Sequence, residues 1–519
     1  MSTNVLLVYP ENPTTFWSFK HALTYTVRKS THPPLGLITI AAMLPKDYHV
    51  KLIDMNVVEL TDEDIQNADL VMTSTMIIHR DSLKEVVKRV KKFGKPIVAG
   101  GPHPTHSYDE IEGIDHFVLN EAEITLPKFL KDFKNGVAKP VYLDDTKPSL
   151  TDTPVPDFSL LDHNLYGTMA IQYSRGCPFN CEFCDIIELF GRKPRVKTPT
   201  QLVAELEALY QTGYKGEVFI VDDNFIGNKK SVRELLPEVI KWQKRRKLPF
   251  TFHTEASINL ADDDNLLDLM YEAGFNMVFI GIETPSLESL EACNKIQNLK
   301  GNLLDSIIKI QKSGLEVTGG FIVGFDSDEE DIFDRQIEFI KQSGVPTAML
   351  GILQAMPHTQ LSRRMEKENR LLFGASGNQT HGLEVNFIPK MDKDKLIEGY
   401  KRVLMDIFDP KTYFERCSLL ISRLNGRRFN FTKPRKGDVA AVLKSVFNQP
   451  RSSYGIHYIK FMLKTLFTKP KFMGLALAMS IRGHHLITMT GELSDVVVEQ
   501  RQPEFVPTPE QKGRVISPS

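Results

Sequence analysis

Ser174-Arg-Gly-Cys-Pro-Phe-Asn-Cys-Glu-Phe-Cys-Asp185 is the stretch of this sequence that says most about the fold. It places Cys177, Cys181 and Cys184 at the spacing C-x3-C-x2-C, with Phe183 just before the last cysteine. Three thiolates on one short loop can bind three irons of a [4Fe–4S] cluster. The fourth iron then has no protein ligand and can bind a substrate, so the spacing predicts a cluster that takes part in chemistry.

A structural zinc site is one alternative for these cysteines, and plain core cysteines are another. Zinc requires a fourth ligand close by, usually from a second pair of Cys or His residues. Between Cys184 and Cys293 the sequence has no further Cys or His except His253, which disfavours zinc. Cys293 and Cys417 lie in helical patterns, and we interpret them as ordinary helix residues.

Length and composition indicate an ordinary globular protein. The 519 residues are 41% hydrophobic and 25% charged, and at about 150 residues per domain they predict two or three domains. The net charge of −1 argues against nucleic acid as a partner, and five cysteines are too few for a disulfide scaffold. We see neither a signal peptide nor an apolar run of ~20 residues, and therefore expect a cytoplasmic location.

Positive charge is concentrated between residues 421 and 482. This segment has thirteen Lys and Arg residues and one acid, Asp438, which leaves the rest of the chain at −13. Aromatic and aliphatic residues alternate with the charges. Such a pattern can contact an anionic membrane surface or another anionic partner, so we also predict membrane association. A helical subdomain with a solvated basic face explains the pattern equally well.

The N-terminal part, residues 1–145, alternates short apolar strands with helices. This order predicts an open parallel α/β sheet, which binds ligands at the carboxyl ends of its strands. The loops at that edge are 10–16, 73–79, 100–106 and 120–124. Residues 146–168 are rich in Pro, Asp and Thr and predict a linker lying across the surface.

Six further strand–helix units over residues 169–365 predict a partial (β/α)6 TIM-like barrel, in which the cysteine loop follows the first strand. Residues 366–500 indicate a mostly helical domain, and residues 501–519 a disordered tail. The predicted barrel strands are Met169–Tyr173, Glu217–Val221, Phe250–Thr254, Met277–Ile282, Glu316–Val323 and Thr347–Leu353.

The cysteine run resembles the signature of the radical S-adenosylmethionine (SAM) family. The resemblance implies that the reduced cluster passes one electron to SAM, whose C–S bond breaks to give a 5′-deoxyadenosyl radical. It also implies that side chains at strand ends bind SAM, although acids and glycines there are also common in turns and helix caps. The candidates are Phe183, Asp222, Asp223, Glu255, Ser257, Gly281, Glu283 and Gly320.

The chain also resembles radical SAM enzymes that carry a Rossmann-like, cobalamin-binding domain before the barrel. Val98-Ala-Gly-Gly-Pro-His103 and Asn120-Glu-Ala-Glu123 are similar to segments of that domain. Residues 1–150 contain no Asp-x-His-x-x-Gly motif, so cobalamin is expected to bind base-off and without a histidine ligand. We interpret His79, His103 and His106 as ordinary loop histidines. The residues implied at the cobalamin site are Ser74, Gly100, Gly101 and Glu121.

Within this family the chain resembles the subgroup that includes the hopanoid C-2 methylase. Phe16-Trp-Ser-Phe-Lys-His-Ala22 and Phe219-Ile-Val-Asp-Asp-Asn-Phe-Ile-Gly-Asn228 are the matching segments. The resemblance implies methylation of an unactivated carbon in a small molecule or lipid, with flavodoxin or ferredoxin as electron donor. No cysteine precedes Cys177, which disfavours the methylthiotransferases, because these carry a second cysteine cluster near the N-terminus.

Two other functions remain open at this stage. One is a cobalamin-using radical enzyme of the same build that forms or rearranges C–C bonds without net methylation. The other is a non-catalytic sensor of iron, SAM or cobalamin. Product mass would separate methylation from the first, and formation of 5′-deoxyadenosine would separate it from the second.

Overall fold

The computed structural model describes residues 3–378, 382–424 and 437–494. Over these ranges the chain forms two six-stranded sheets, followed by a set of packed helices. Every strand pair within the two large sheets is parallel. The predicted α/β class and the two-sheet architecture are therefore confirmed.

The first sheet has the strand order β2-β1-β3-β4-β5-β6. Its apolar strand residues are buried between helices on both faces, as expected for a parallel sheet. The strands are β1 Asn4–Tyr9, β2 His49–Asp54, β3 Leu70–Ser74, β4 Ile97–Gly100, β5 His116–Val118 and β6 Val141–Tyr142, and the helices are α1 Lys20–Leu23, α2 Leu35–Met43, α3 Asp62–Gln66, α4 Arg80–Lys92, α5 Pro102–Ser107 and α6 Ala122–Lys134.

The second sheet is the partial barrel, and its strands pair in sequence order from β7 through β10 to β14. A short antiparallel ribbon, β8 with β9, projects after the first strand. The strands are β7 Met169–Ile171, β8 Ser174–Arg175, β9 Arg195–Val196, β10 Gly216–Ile220, β11 Phe250–Ala256, β12 Phe275–Glu283, β13 Glu316–Val323 and β14 Ala348–Ile352.

Helices cover the outside of the barrel and then continue as a separate C-terminal group. The barrel helices are α7 Ile186–Phe190, α8 Pro199–Gln211, α9 Lys229–Arg245, α10 Asp264–Ala273, α11 Leu287–Ala292, α12 Leu303–Lys312, α13 Ile332–Ser343 and α14 Gln360–Lys367. The C-terminal helices are α15 Lys393–Ile407, α16 Pro410–Arg423, α17 Asp438–Asn448, α18 Gly455–Thr468 and α19 Met473–Ser494.

Two arginines of the basic segment belong to the protein interior. Arg482 of α19 forms a two-point ion pair with buried Glu316 of β13, at 2.7 and 2.9 Å. Arg423, at the end of α16, donates to the backbone carbonyl of Ser343 and the side chain of Gln311. Both guanidinium groups are therefore used in contacts within the protein. Residues 425–436 of the segment and the predicted tail 501–519 lie outside the described residues.

The segment 146–168 is partly buried, which differs from the expected surface linker. Leu150, Phe158 and Tyr166 are buried, and the Tyr166 hydroxyl donates to Asp54 at 3.0 Å. Ser149, Asp157 and Asp162 cap three short 3-10 turns here, and the first two turns bring Leu150 and Phe158 inward. Composition indicates the turns correctly but does not show which way the apolar residues between them face.

Candidate functional site

The cysteine loop begins on the β8–β9 ribbon, and Asp222 holds the start of this ribbon in place. Its two carboxylate oxygens accept hydrogen bonds from the Tyr173 amide and the Ser174 hydroxyl, both at 2.7 Å. Burial raises the pKa of this carboxyl to about 6. Both oxygens are used within the protein, so the structure gives Asp222 a positioning role and not the SAM contact expected from its strand end.

Side-chain amides point at two of the three cysteine sulfurs. Asn224 Nδ2 lies 3.8 Å from Cys177 Sγ, and Gln297 Nε2 lies 3.6 Å from Cys181 Sγ. Hydrogen bonds to sulfur tune iron–sulfur clusters and orient their ligands. Burial raises the pKa of the Cys184 thiol, so metal binding must release its proton. Neither amide is adjacent to the loop in sequence.

The geometry of the ligands bears on the choice between zinc and a cluster. In the described residues, no three His, Cys, Asp or Glu side chains converge as the ligands of a single metal ion do. A [4Fe–4S] cluster does not require this convergence, because each cysteine binds a different iron. The three cysteines, with two amide donors beside them, therefore fit a cluster.

The outer side of the cysteine loop is fastened to the far end of the barrel. Arg364 of α14 contacts both carboxylate oxygens of Glu182, at 2.5 and 3.0 Å, and also contacts Asp326 after β13. Arg370 binds the same Asp326. The backbone amide of Leu361 donates to the Glu182 carbonyl at 2.9 Å. No local sequence pattern indicates this cluster, since Glu182 and Arg364 are 182 residues apart.

Lys295 is the cation nearest to the cysteines. Its ammonium contacts Glu283 Oε1 at 2.6 Å and lies 5.8 Å from the centre of the Phe183 ring. Burial opposes its charge, but Glu283 and the thiols of Cys181 and Cys184 outweigh this effect and raise the pKa of Lys295. Lys295 therefore places positive charge beside cysteine thiols that become negatively charged when they bind metal. A lysine after a helix has no distinctive sequence signal.

Glu283 and the neighbouring glycines stand where β12 is irregular. The pairing with β13 shifts between Gly281 and Glu283, and Glu283 has a φ of +66°. A Cβ atom on Gly281 would lie 2.5 Å from Glu283 Oε1, and one on Gly320 would lie 2.9 Å from the Phe279 ring. The glycines at this strand end therefore leave room for protein side chains. All three of the predicted residues Gly281, Glu283 and Gly320 line the main cavity.

Asp223 and Glu255 form an acidic pair at the ends of β10 and β11. Burial and the charge of Asp222 raise the pKa of Asp223 to about 7, and burial and Asp223 raise that of Glu255 to about 8. Among the described residues Asp223 Oδ2 has no hydrogen-bond partner; this oxygen is buried, and Asp223 lines the cavity. A buried carboxylate oxygen without a partner fits the ammonium group of an amino acid. Asp223 is thus the predicted residue best placed for SAM.

Ser257 faces a different space. Its hydroxyl donates to Asn259 at 2.7 Å and lies 3.3 Å from Asn224, the residue that contacts Cys177. With Pro178 and Phe179 of the cysteine loop, Ser257 lines a second, smaller cavity on the outer side of the loop. The structure therefore places Ser257 behind the cysteines and away from the main cavity.

The main cavity lies between the first sheet and the mouth of the barrel and has a volume of about 910 Å³. One wall comes from the loops after β1, β3 and β4, including Asn12, Met76 and His103. The facing wall comes from the barrel strand ends, including Asp223 and Gly320. The predicted ligand-binding edges of the two sheets therefore face the same space.

Internal packing explains why glycine is required at positions 100 and 101, which were predicted to bind cobalamin at the edge of the first sheet. A Cβ atom on Gly100 would lie 2.8 Å from the Val118 carbonyl oxygen. Gly101 has a φ of +92°, and its Cβ atom would lie 2.7 Å from Ser74 Oγ. The close approach that requires these glycines is thus to the protein's own backbone and to Ser74. Pro102, the next residue, lines the cavity.

Glu121 is used in a contact between the two α/β units. It accepts from Arg175 at 2.9 Å and from Arg195 at 2.7 Å, and both arginines belong to the β8–β9 ribbon. Glu123 also binds Arg175. Glu121 is buried and does not line the cavity, so the expectation that it contacts cobalamin is replaced by a role in joining the units.

The three histidines of this edge differ in their hydrogen bonds. His79 uses both ring nitrogens, one towards Asn12 Oδ1 at 2.6 Å and one towards the Met76 amide at 3.1 Å. His103 is 4% exposed, and neither of its ring nitrogens has a hydrogen-bond partner in the part of the chain that the structure describes. Burial lowers the pKa of His103 to about 4, which leaves the ring neutral, with one donor and one acceptor. His106 Nε2 also lacks a partner. His103 and His106 both line the cavity.

Family models and relatives match the chain in the order of its domains. A B12 binding domain matches residues 23–130, the Radical SAM superfamily matches residues 171–340, and a "Domain of unknown function (DUF4070)" matches residues 359–497. The hopanoid C-2 methylase of Rhodopseudomonas palustris is 32% identical over 506 residues, which cover 95% of this chain and 94% of that protein. This chain belongs to the B12-binding radical SAM family.

Two further comparisons support membership of the B12-binding radical SAM family. An uncharacterized methyltransferase of Synechocystis sp. is 45% identical over 413 residues, or 79% of this chain and 77% of that protein. The solved structure of OxsB, a cobalamin-dependent S-adenosylmethionine radical enzyme, matches with a TM-score of 0.59 at 16% identity. The match covers 95% of this chain and 84% of OxsB and shows a shared fold.

B12-binding radical SAM enzymes use a [4Fe–4S] cluster, SAM and cobalamin, and the expectation of these three cofactors is confirmed. The described residues fit each of them. The amides of Asn224 and Gln297 fit cluster sulfurs, the unpartnered oxygen of Asp223 fits the SAM ammonium, and the unpartnered His103 fits a corrinoid rich in amide groups.

Proposed function

We propose that this chain is a cobalamin-dependent radical SAM methyltransferase that methylates an unactivated carbon of an apolar substrate, most simply a lipid. The cavity shared by the two sheets carries this proposal, because it brings the cobalamin side and the SAM side to one space. The extent of the match to the hopanoid C-2 methylase supports the choice of a lipid.

Apolar side chains dominate the cavity lining. Both walls contribute, so an aliphatic or polycyclic substrate would be enclosed by hydrocarbon over much of its surface. Such an enclosure also excludes water from a reactive radical. The apolar lining includes Tyr9, Trp17, Leu23, Leu35, Met76, Ile77, Ile78, Ile186, Leu189, Phe190, Phe219, Phe279, Phe321, Ile322, Met349 and Met356.

The protein holds and orients its cofactors through named residues. When bound, the three cofactors supply the radical and the methyl group. Cys177, Cys181 and Cys184 would hold the cluster, next to Lys295, whose ammonium lies 5.8 Å from the centre of the Phe183 ring. The residues proposed for SAM are Asp223, Glu255, Gly281, Glu283 and Gly320. Asp222 and Ser257 are proposed to support the cysteine loop. The residues proposed for cobalamin are His103 and, because they shape the edge of the first sheet, Ser74, Gly100 and Gly101.

An anaerobic assay tests this function. The reconstituted protein is given cobalamin, SAM, a chemical reductant and a total bacterial lipid extract, and products are quantified by mass spectrometry. We expect 5′-deoxyadenosine and S-adenosylhomocysteine to rise together, with one lipid gaining the mass of a CH2 group. Deoxyadenosine without S-adenosylhomocysteine would contradict methylation and favour the non-methylating radical chemistry.

The family requires a reductant, and we propose a small acidic electron carrier such as flavodoxin or ferredoxin. The outer cavity beside the cysteine loop supports this choice. Lys193 and Lys229 line it together with Pro178 and Phe179, and Lys193 is exposed. Positive charge next to the loop suits an acidic partner. Replacing Lys193 by Glu should slow reduction by flavodoxin but leave reduction by dithionite unchanged.

We also propose that the protein docks on membranes through α17 and α18. Each helix exposes large apolar side chains at helical spacing, and together these form what we name the apolar stripe. A contiguous exposed apolar surface of this kind marks an interaction site. The stripe comprises Val439, Val442, Leu443, Val446 and Phe447 of α17 and Ile456, Ile459, Leu463, Leu466 and Phe467 of α18.

Charge and exposure favour a bilayer with anionic lipids as the partner. Phe467 is 80% exposed, which is costly in water and favourable at the lipid interface. Exposed Lys444, Lys460 and Lys464 alternate with the stripe and can contact lipid phosphates. Within the described ranges no helix is both long and apolar enough to cross a membrane. The proposed contact is therefore peripheral.

Co-sedimentation with vesicles tests the docking. We expect the protein to sediment with vesicles that contain phosphatidylglycerol and to do so less as this lipid is diluted with phosphatidylcholine. The double variant Leu443→Ser, Phe467→Ser should bind at least tenfold more weakly. Val137→Ser, which removes an exposed apolar side chain outside the stripe, is the control and should bind like the natural chain. Equal binding by the double variant would overturn the assignment.

A further inference from the structure

We infer that the main cavity opens directly at the membrane-docking surface, through residues 15–31, so that a lipid can enter it from the bilayer. This inference rests on the proposed function and adds the route by which the substrate reaches the site. We call residues 15–31 the entry segment. It contributes Thr15, Trp17, Lys20, Leu23 and Lys29 to the cavity lining.

Trp17 marks the opening. An exposed lysine that lines a cavity keeps its ammonium in water, so it indicates where the cavity reaches the surface. Trp17 is 46% exposed and lines the cavity, and its ring lies 5.3 Å from the ring of Phe279 on the barrel wall. Lys20 and Lys29 are exposed lining residues on either side of Leu23. The opening therefore has an aromatic edge flanked by lysines.

The entry segment lies directly against α17, which carries half of the apolar stripe. Arg28 forms an ion pair with Asp438 at 2.6 Å, and Lys444 donates to the Thr24 carbonyl at 2.9 Å. Val27, which is exposed, contacts Gly437 immediately before the helix. Because Lys444 follows Leu443 of the stripe, the opening and the stripe are neighbours on one surface.

The composition of this combined surface matches the interface of a bilayer. Tryptophan and lysine are typical of the headgroup level, where an aromatic ring meets hydrocarbon and an ammonium meets phosphate. With the stripe in the bilayer, Trp17 and Lys20 would reach this level, while the Lys29 ammonium donates to the Val57 carbonyl at 2.9 Å. A lipid could then move past Trp17 into the apolar cavity without crossing water, which removes the cost of exposing its hydrocarbon.

Tryptophan fluorescence tests the inference without any catalysis. The chain has two tryptophans, and Trp242 is 2% exposed inside the barrel domain, so it serves as an internal reference. The holoenzyme is mixed with phosphatidylglycerol vesicles whose acyl chains carry bromine, which quenches indole on contact. We expect quenching of the natural chain by brominated vesicles, and its loss in Trp17→Phe, which sediments with vesicles as before.

Each outcome has a defined meaning. Vesicle binding with no difference in quenching between the natural chain and Trp17→Phe would overturn the entry route, while docking and methylation would stand. Absence of vesicle binding would overturn docking and the route together, and the lipid-extract assay would still decide methylation. A second variant, Val27→Trp, places an indole next to α17 and should be quenched more strongly than the natural chain.

Discussion

At the residue scale, the site is defined by polar groups that have no hydrogen-bond partner within residues 3–378, 382–424 and 437–494. Asp223 and His103 are buried groups of this kind and line the cavity, whereas Asp222, Glu121 and His79 use their polar atoms within the fold. Unsatisfied buried groups are costly, so they persist where a ligand completes them. This difference separates residues that can contact cofactors from residues that support them.

Replacing Cys181 by Ala should abolish cluster binding. The variant should contain little iron and sulfide after reconstitution and form no 5′-deoxyadenosine, because two thiolates do not hold a site-differentiated cluster. Cys293→Ala is the matched control, since Cys293 is also buried near the loop but lies outside the C-x3-C-x2-C run, and its thiol donates to the Leu290 carbonyl. The control should retain the cluster absorbance, and a Cys181→Ala enzyme that still cleaves SAM would refute the ligand assignment.

Replacing His103 by Ala should weaken cobalamin binding about fivefold, the effect of losing one hydrogen bond of ~1 kcal/mol. Absorbance titration of the cluster-free protein with hydroxocobalamin measures this affinity independently of activity. His49→Ala is the control, because His49 is exposed on the opposite, amino-terminal edge of the same sheet. Unchanged affinity in His103→Ala would show that the unpartnered ring faces something other than the corrinoid.

Sequence spacing was sufficient for the cysteines but not for the residues around them. The C-x3-C-x2-C run is local, so its chemistry can be predicted without a structure. Gln297, Lys295 and Arg364 reach the loop only after the chain has closed the barrel, and each is an unremarkable residue in its own sequence context. Glu121 was misassigned because its arginine partners lie more than fifty residues away.

At the element scale, period and turn residues predicted the strands well. Glu316–Val323 has the predicted bounds, and most other predicted strands differ by one to three residues at an end. In both sheets most successive parallel strands are neighbours, as short connections favour, although β3 pairs with β1 and not with β2. The ribbon β8–β9 was missed, because two-residue strands have no periodicity.

Helix α19 is joined to the barrel through Arg482, and loss of this arginine should destabilise the packing of the C-terminal helices. Arg482→Met leaves Glu316 buried without its ion-pair partner, which should cost ~3 kcal/mol and lower the melting temperature. Thermal unfolding followed by circular dichroism measures the shift. Lys464→Met, on the exposed side of α18, should melt like the natural chain. Equal melting of Arg482→Met would show that the pair contributes little.

At the scale of the whole molecule, the two α/β units meet through buried charge. Glu121 and Glu123 of the first unit contact Arg175 and Arg195 of the ribbon that carries the cysteine loop. The β8–β9 ribbon therefore leads into the cysteine loop and also carries the arginines that contact the B12-binding unit. A change in this joint would alter the distance between the two cofactor positions.

Glu121→Gln should loosen this joint. It leaves Arg195 without a carboxylate partner, which should lower the melting temperature by about 5 °C or more. It should also raise the ratio of deoxyadenosine to methylated product, since radical formation and methyl transfer depend on different units. Glu112→Gln, at an exposed position of the same unit, is the control. Unaltered stability and product ratio would show that other contacts align the units.

The contact between the entry segment and α19 has a consequence for biosynthesis. Phe19 and His21 pack against His485, more than 460 residues later in the chain. A ribosome makes about 5–20 residues per second, so the entry segment waits for tens of seconds before its partner exists. During that time its apolar side chains are open to other nascent chains. We therefore expect the yield of folded protein to depend on chaperones that bind N-terminal segments of nascent chains. We also expect growth at lower temperature to raise this yield.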